Sequence, residues 1–183
     1  MAKIMLSNGA TIEDATAVRR FLAEQAVPYE FWDVTRLDGK GLLDAPTLGP
    51  SEQQAVLDAY SAELEELKAN KGYLKADIVA LWEQTPKLDE LLKIFDREHY
   101  HTEDEVRFTI DGSGIFGVRS LGGEWFDVVV ERGDLIIIPA RRHHRFTLTD
   151  ERRIKCIRVF QDEEGWKAIY PETEQAERSQ AGV

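Results

Sequence analysis

The 183-residue chain has one cysteine, Cys156. That excludes an internal disulfide and every cysteine-based zinc site. Glycine and proline are also sparse, 13 and 6 residues, too few for a collagen-like or linker-like chain. Basic residues are in deficit: 23 Lys and Arg stand against 34 Asp and Glu, a formal net charge of −11. So acidic a chain lacks the basic face that phosphate recognition needs, which argues against nucleic acid as a partner and against docking on anionic lipid. Long apolar runs are missing. The most compact one, Leu135 to Ile138, is far too short to span a bilayer. The opening Met1-Ala2-Lys3-Ile4-Met5-Leu6 turns polar at Ser7-Asn8-Gly9, without the apolar stretch of a signal peptide. The expectation is a soluble cytoplasmic protein of one domain.

What is present divides into two halves. Residues 1–94 read as mostly helical. Ala15, Val18, Phe21 and Leu22 fall at helical spacing between Thr11 and Gln25, with Thr11 as the expected N-cap. Val27 to Trp32 breaks that period and reads as extended, and Gly39, Gly41, Pro46, Gly49 and Pro50 punctuate a loop. A helix is expected from Ser51, with Glu52 in its first turn and an apolar stripe of Val56, Leu57, Tyr60, Leu64 and Leu67, ending at Gly72. Shorter helices are expected over 76–83 and 87–93. Residues 95–170 change character. Segments 105–110, 115–120, 125–130, 135–138, 145–149 and 154–160 read as strands, separated by Asp111-Gly112-Ser113-Gly114, Leu121-Gly122-Gly123 and Arg132-Gly133-Asp134. Many short strands between glycine turns imply an antiparallel sandwich or barrel, a mainly-β fold. Residues 171–183 read as a polar, frayed tail.

The chain has four histidines, in two tight clusters: His99 and His101, then His143 and His144. On a strand, alternate side chains share a face. His99, His101, Glu103, Glu105 and Arg107 would therefore project together. Imidazole and carboxylate suit Fe, Ni, Mn or Zn. The second cluster follows the apolar strand Leu135 to Ile138, and spacing alone leaves open which of its histidines meets the first. Three histidines and one carboxylate leave two positions open on a six-coordinate metal, which reads as a catalytic or small-molecule centre more than as a structural zinc. Arg107 and Arg158 each sit inside an apolar strand, where an arginine needs an anionic partner. A substrate oxyanion is one candidate, and an acidic residue such as Glu103 is another. Arg141, Arg142, Arg145, Arg152, Arg153 and Lys155 read mainly as solvated strand edges. Cys156 has no role in this scheme.

At these residues the sequence resembles a known superfamily. His99-x-His101-x₃-Glu105-x₆-Gly112 resembles the first cupin motif, and Gly133-x₅-Pro139-x-Arg141-x₂-His144 the second. That register selects His144 over His143. Arg141 stands where a glycine is usual, Leu148 where an asparagine is usual, and Lys93 where the first motif often begins with glycine. Glu98 to Phe108, Asp134 to Ala140, Ile157 to Phe160, Glu164-Gly165-Trp166 and Lys71-Gly72-Tyr73 further resemble the acireductone dioxygenases.

The resemblance implies a cupin-type β-barrel with the N-terminal helices packed on it. It implies one Fe(II) or Ni(II) per chain, bound by His99, His101, Glu105 and His144. The substrate would be 1,2-dihydroxy-3-keto-5-methylthiopentene, an acireductone of methionine salvage, cleaved with O₂. The iron form would give formate and 4-methylthio-2-oxobutanoate. The nickel form would give formate, carbon monoxide and 3-methylthiopropanoate. Arg107 and Arg158 would stabilise developing negative charge, and Phe95, Phe146 and Trp166 would wall in the thioether tail. Glu98 and Glu103 are candidates for a base, and a monomer is expected. The alternatives are another metal-dependent cupin dioxygenase or isomerase, a non-catalytic cupin that binds metal or a small ligand, and a barrel used for protein contact.

Overall fold

The Val-, Ile- and Phe-rich segments of the second half pair as strands, as β-branched and aromatic side chains favour on a half-buried pleated surface. The computed structural model describes residues 1–43, 45–161 and 167–171. Within them lie strands β1 (Lys3–Leu6), β2 (Thr11–Ile12), β3 (Tyr29–Phe31), β4 (Lys75–Leu81), β5 (Glu105–Arg119), β6 (Trp125–Glu131), β7 (Asp134–Ile138), β8 (His144–Leu148) and β9 (Ile154–Phe160). The helices are α1 (Ala15–Glu24), α2 (Pro50–Ala59), α3 (Ser61–Lys71) and α4 (Leu88–Phe95), with a 3-10 turn at Thr35–Leu37. Every strand pair is antiparallel. One half-sheet runs β2-β1-β6-β5-β8 and the other β3-β7-β5-β9-β4. Because β5 belongs to both, the sheet curls on itself, giving the mainly-β, cupin-type barrel that the sequence implies.

Strand β5 corrects one expectation. Two strands and a turn at Asp111–Gly114 were expected, but residues 105–119 form one strand. Its register against β9 shifts between Thr109 and Asp111. Gly112 there takes φ +71°, and a Cβ on it would lie 2.2 Å from the Arg153 carbonyl oxygen. The bulge changes which parity faces inward. Before it, Val106, Phe108 and Ile110 pack in a cluster with Tyr60, Leu64 and Leu67 of the helical layer. After it, Phe116 and Val118 join the other cluster, with Val128, Ile136 and Ile154 inside the barrel. The odd residues Glu105 and Arg107 are thereby left to face the interior.

The first 94 residues are less helical than expected, since β1 to β4 lie within them. Thr11 is paired with Met5 in the β1–β2 ladder. The cap of α1 is Asp14, whose carboxylate accepts from the Ala17 amide at 2.9 Å. The long helix expected from Ser51 breaks at Tyr60, which is fully buried, stacks edge-on against Phe108 and donates to the Asp33 carbonyl at 3.0 Å. Burying that ring outweighs the continuity of the helix. Gly72 ends α3 in the left-handed conformation, as expected. Segment 76–83 is not a helix but most of β4, paired with β9 over seven residues. Its Ala, Leu and Glu favour helix locally, and the long-range pairing overrides them. The expected tail beyond residue 171 lies outside the described residues. No helix among those described is long and apolar enough to cross a membrane.

Gly112→Ala should lower unfolding stability by roughly 2–4 kcal/mol, from the left-handed backbone and the clash together. The denaturation midpoint measures this, and an unchanged midpoint would remove the requirement for glycine at the bend.

Candidate metal centre

The backbone brings the two histidine clusters together before any side chain is considered. The His99 amide donates to the His144 carbonyl at 3.0 Å, and the His144 amide donates to the His99 carbonyl at 2.8 Å. The Arg141 amide donates to the His101 carbonyl at 2.8 Å, and the Ala140 amide to the Asp104 carboxylate at 2.8 Å. Segment 99–105 is thus zipped to segment 140–144. Donor atoms of His99, His101, Glu105 and His144 then all lie within 4.8 Å of one another. His99, Glu105 and His144 are buried, and the His101 side chain is 12% exposed.

The protonation pattern of this cluster favours a cation. His99 Nδ1 lies 2.7 Å from the Arg97 carbonyl oxygen, and His144 Nδ1 lies 2.8 Å from that of Arg142. A carbonyl only accepts, so Nδ1 carries the proton in both rings and Nε2 presents a lone pair. His144 Nε2 sits 2.6 Å from Glu105 Oε2, yet neither atom has a hydrogen-bond partner, and His101 Nδ1 is also buried without one. Lone pairs and a carboxylate converge on one point. Burial pushes the His99 imidazole down to about 4, with His144 adding to the effect, so His99 is neutral there. Burial alone would raise the Glu105 carboxyl, but the Arg107 guanidinium beside it outweighs that and holds it well below the usual range. The group is a metal-binding site of three histidines and one glutamate, with the His99 and His144 rings fixed from behind by backbone carbonyls.

The cluster forms the polar end of a cavity of about 430 Å³. Phe95, Phe146 and Phe116 line it, as do Val79, Leu81 and Ile154, so the remainder is apolar. Arg107 and Arg158 also reach the cavity. Each meets a carboxylate of its own. Arg107 Nη2 lies 2.8 Å from Glu105 Oε1, and Arg158 makes a two-point bond to Asp77, with Nε 2.6 Å from Oδ1. Neither Glu98 nor Glu103 lines the cavity. Glu98 instead accepts from His143 at 2.9 Å and from Arg119 at 3.3 Å. Trp166 lies outside the described residues.

Several wall residues escape the sequence reading, Phe116, Ile154 and Ala168 among them. Val79 and Leu81 are hidden because segment 76–83 reads as helix while its residues pair with β9. Tyr170, 5.9 Å from the His99 ring between centroids and under the Arg97 guanidinium, carried no motif. Cys156, expected to have no role, lines the cavity, although burial pushes its thiol up to about 11 and keeps it protonated. Alternation along β9 was the available signal, since Ile154, Cys156 and Arg158 share a parity.

The unusual stretch before His144 is resolved as structure. Arg142 donates from Nη1 to the carbonyls of Gln25 and Arg119, both at 3.0 Å. His143 turns away from the cluster to Glu98 and stacks on Tyr100. Arg141 has φ +62°, so its backbone adopts the conformation that a glycine would take without strain. The other basic residues of this region meet acidic ones: Arg145 faces Asp96 and Asp127, Arg152 faces Asp89, and Arg153 and Lys155 face Asp111.

Residues 48–168 match a family model described as the ARD/ARD' family. An acireductone dioxygenase of Sulfurihydrogenibium sp. is 44% identical over 177 residues, 96% of this chain and 98% of that protein. The chain belongs to the acireductone dioxygenase family. A further member, from Bacillus licheniformis, is 44% identical over 160 residues, 87% of this chain and 89% of its own. A solved acireductone dioxygenase from Bacillus anthracis, with a cadmium ion in its active center, superposes with a TM-score of 0.89 at 40% identity, covering 93% of this chain and 98% of that one. Membership of the family makes the chain an enzyme, a dioxygenase, and sets aside the reading as a barrel for protein contact.

Arg141→Gly should keep the Arg141 amide bond to His101 while removing left-handed strain. Stability is expected to hold or rise by up to about 1 kcal/mol, the strain relief being partly offset by the entropy of glycine in the unfolded chain. A thermal melt that falls instead would show that the arginine side chain contributes to the fold.

Proposed function

We propose that the chain cleaves 1,2-dihydroxy-3-keto-5-methylthiopentene with O₂ in methionine salvage, as a cytoplasmic monomer, using one Fe(II) or Ni(II) bound by His99, His101, Glu105 and His144. The observation that carries this reading is the convergence of two Nε2 lone pairs and the Glu105 carboxylate at the polar end of an apolar cavity. A small molecule with an anionic enediol head and an uncharged thioether tail fits that division. The family's solved member with cadmium in its active center supports a metal there, and imidazole with carboxylate accepts Fe(II) and Ni(II) alike.

Such an ion supplies Lewis acidity and a template that fixes the substrate and O₂ together. The protein's own residues do the rest. The Arg97 and Arg142 carbonyls hold the rings of His99 and His144 in one tautomer. Arg107, beside Glu105, provides positive charge next to the site where the substrate's oxyanions would lie. Arg158, held in place by Asp77, lines the same cavity and is proposed to add to that stabilisation. Phe95 and Phe146 exclude water from the tail, a role also proposed for Trp166. The iron form is expected to yield formate and 4-methylthio-2-oxobutanoate, and the nickel form formate, carbon monoxide and 3-methylthiopropanoate.

Metal-free protein reconstituted separately with each ion, then given acireductone and O₂, tests this directly. A keto acid from one form and carbon monoxide from the other is the expected result. Metal uptake without O₂ consumption would leave only a ligand-binding cupin. Glu105→Ala and His144→Ala should each lose stoichiometric metal, measured by elemental analysis; full occupancy in either would sink the four-ligand assignment. Arg107→Ala should keep its metal and lose about 10²–10³-fold in kcat. Unchanged kcat would take Arg107 out of the chemistry.

A further inference from the structure

A second, smaller cavity of about 100 Å³ adjoins the first. Pro46, Trp82, Asp111 and Lys155 are among its lining residues, and Leu81 and Ile154 line both spaces. These two residues are partners in the last pair of the β4–β9 ladder, at its Leu81 end. Ile154 is buried, and its Cδ1 lies only 3.0 Å from where a Cβ of Gly114 would stand, so the missing side chain at Gly114 makes room for it. Ile154, Cys156 and Arg158 share one face of β9, and the four-residue step from Arg158 to Ile154 spans about 13 Å. The cavity is therefore polar at one end and blunt at the other. Beyond the blunt end the character changes. Lys155 Nζ donates to the Leu43 carbonyl at 2.7 Å and lies 3.6 Å from Asp111 Oδ2, which makes a fixed, polar floor.

We propose that Leu81 and Ile154 are specificity-determining residues, an end wall that limits the length of the uncharged tail the enzyme accepts. The second cavity is the space that a longer tail would enter if the wall were lowered. The inference rests on the reading above only in seating the ligand's polar head at the four-donor cluster. A tail that stops short of the wall leaves apolar surface uncovered. A tail one methylene too long must displace packed side chains. Mismatches of one methylene in such pockets discriminate by roughly 10–200-fold.

The test uses the Ni(II)-loaded protein under nitrogen, so that nothing turns over, and linear alkyl hydroxamic acids of increasing length as probes. Dissociation constants are measured by calorimetry. In the wild type, affinity should rise with each added carbon to an optimum and then fall. In Ile154→Ala and Leu81→Ala the optimum should move to longer chains, with the first homologue beyond the wild-type optimum gaining tenfold or more relative to the homologue at it. Should either alanine variant fail to fold, Ile154→Val, which removes one methyl group, should move the optimum in the same direction, and Leu81→Phe should move it to shorter chains. An optimum that stays put in the folded variants overturns the proposal, as does a wild-type series with no optimum. Turnover of the methylthio acireductone by aerobic wild type is scored separately. A moved optimum without turnover would keep the wall and remove the proposed reaction, and turnover with an unmoved optimum would do the reverse.

Discussion

A carboxylate withdrawn from water costs several kcal/mol unless positive charge and donors surround it, and Glu105 is withdrawn to 7% exposure. The arrangement around the site answers that cost. Arg107 lies on one of its oxygens, and His101 and His144 face the other. The backbone carbonyls behind His99 and His144 engage Nδ1 and leave Nε2 facing the carboxylate's side of the cluster, so a cation completes the balance. The same constraint explains the position of Glu105 at the first residue of β5, where the strand has just left the His99–His101 segment and has not yet bent.

The bend at Gly112 is what allows one strand to serve two sheets. Before it, odd-numbered residues carry the polar chemistry into the barrel, while even-numbered aromatic and aliphatic residues hold the helices outside. After it, even-numbered residues supply the apolar interior. A strand without the bulge would place Phe116 and Val118 outside or Glu105 and Arg107 outside, and the cavity would lose one of its two characters.

Much of this was readable in the residues. The four donors stand out because four histidines in two clusters are an uncommon distribution. Strand parity groups His99, His101, Glu103, Glu105 and Arg107, but the strand begins only at Glu105, isolated bridges hold the segment before it, and Glu103 stays outside the cavity. The motif register distinguished His144 from His143. What escaped was set by long-range pairing. β4 has the composition of a helix and becomes a strand only because β9 lies beside it. Asp111-Gly112 has the chemistry of a hairpin turn and becomes a bulge because Arg153 crosses it. Asp77 cannot be matched to Arg158 without knowing that β4 is a strand. Arg141 looked like a departure from the motif, but its φ of +62° shows that the backbone still follows the glycine pattern.

The reciprocal amide bonds between His99 and His144 have a kinetic consequence. Two members of the donor cluster are each other's backbone partners, so neither segment can open without releasing the other. Local opening is then a concerted event that dismantles half of the coordination set at once, with no stepwise loss of single arms. Exchange of those two amide protons with solvent would then report the opening of that bridge as a single event.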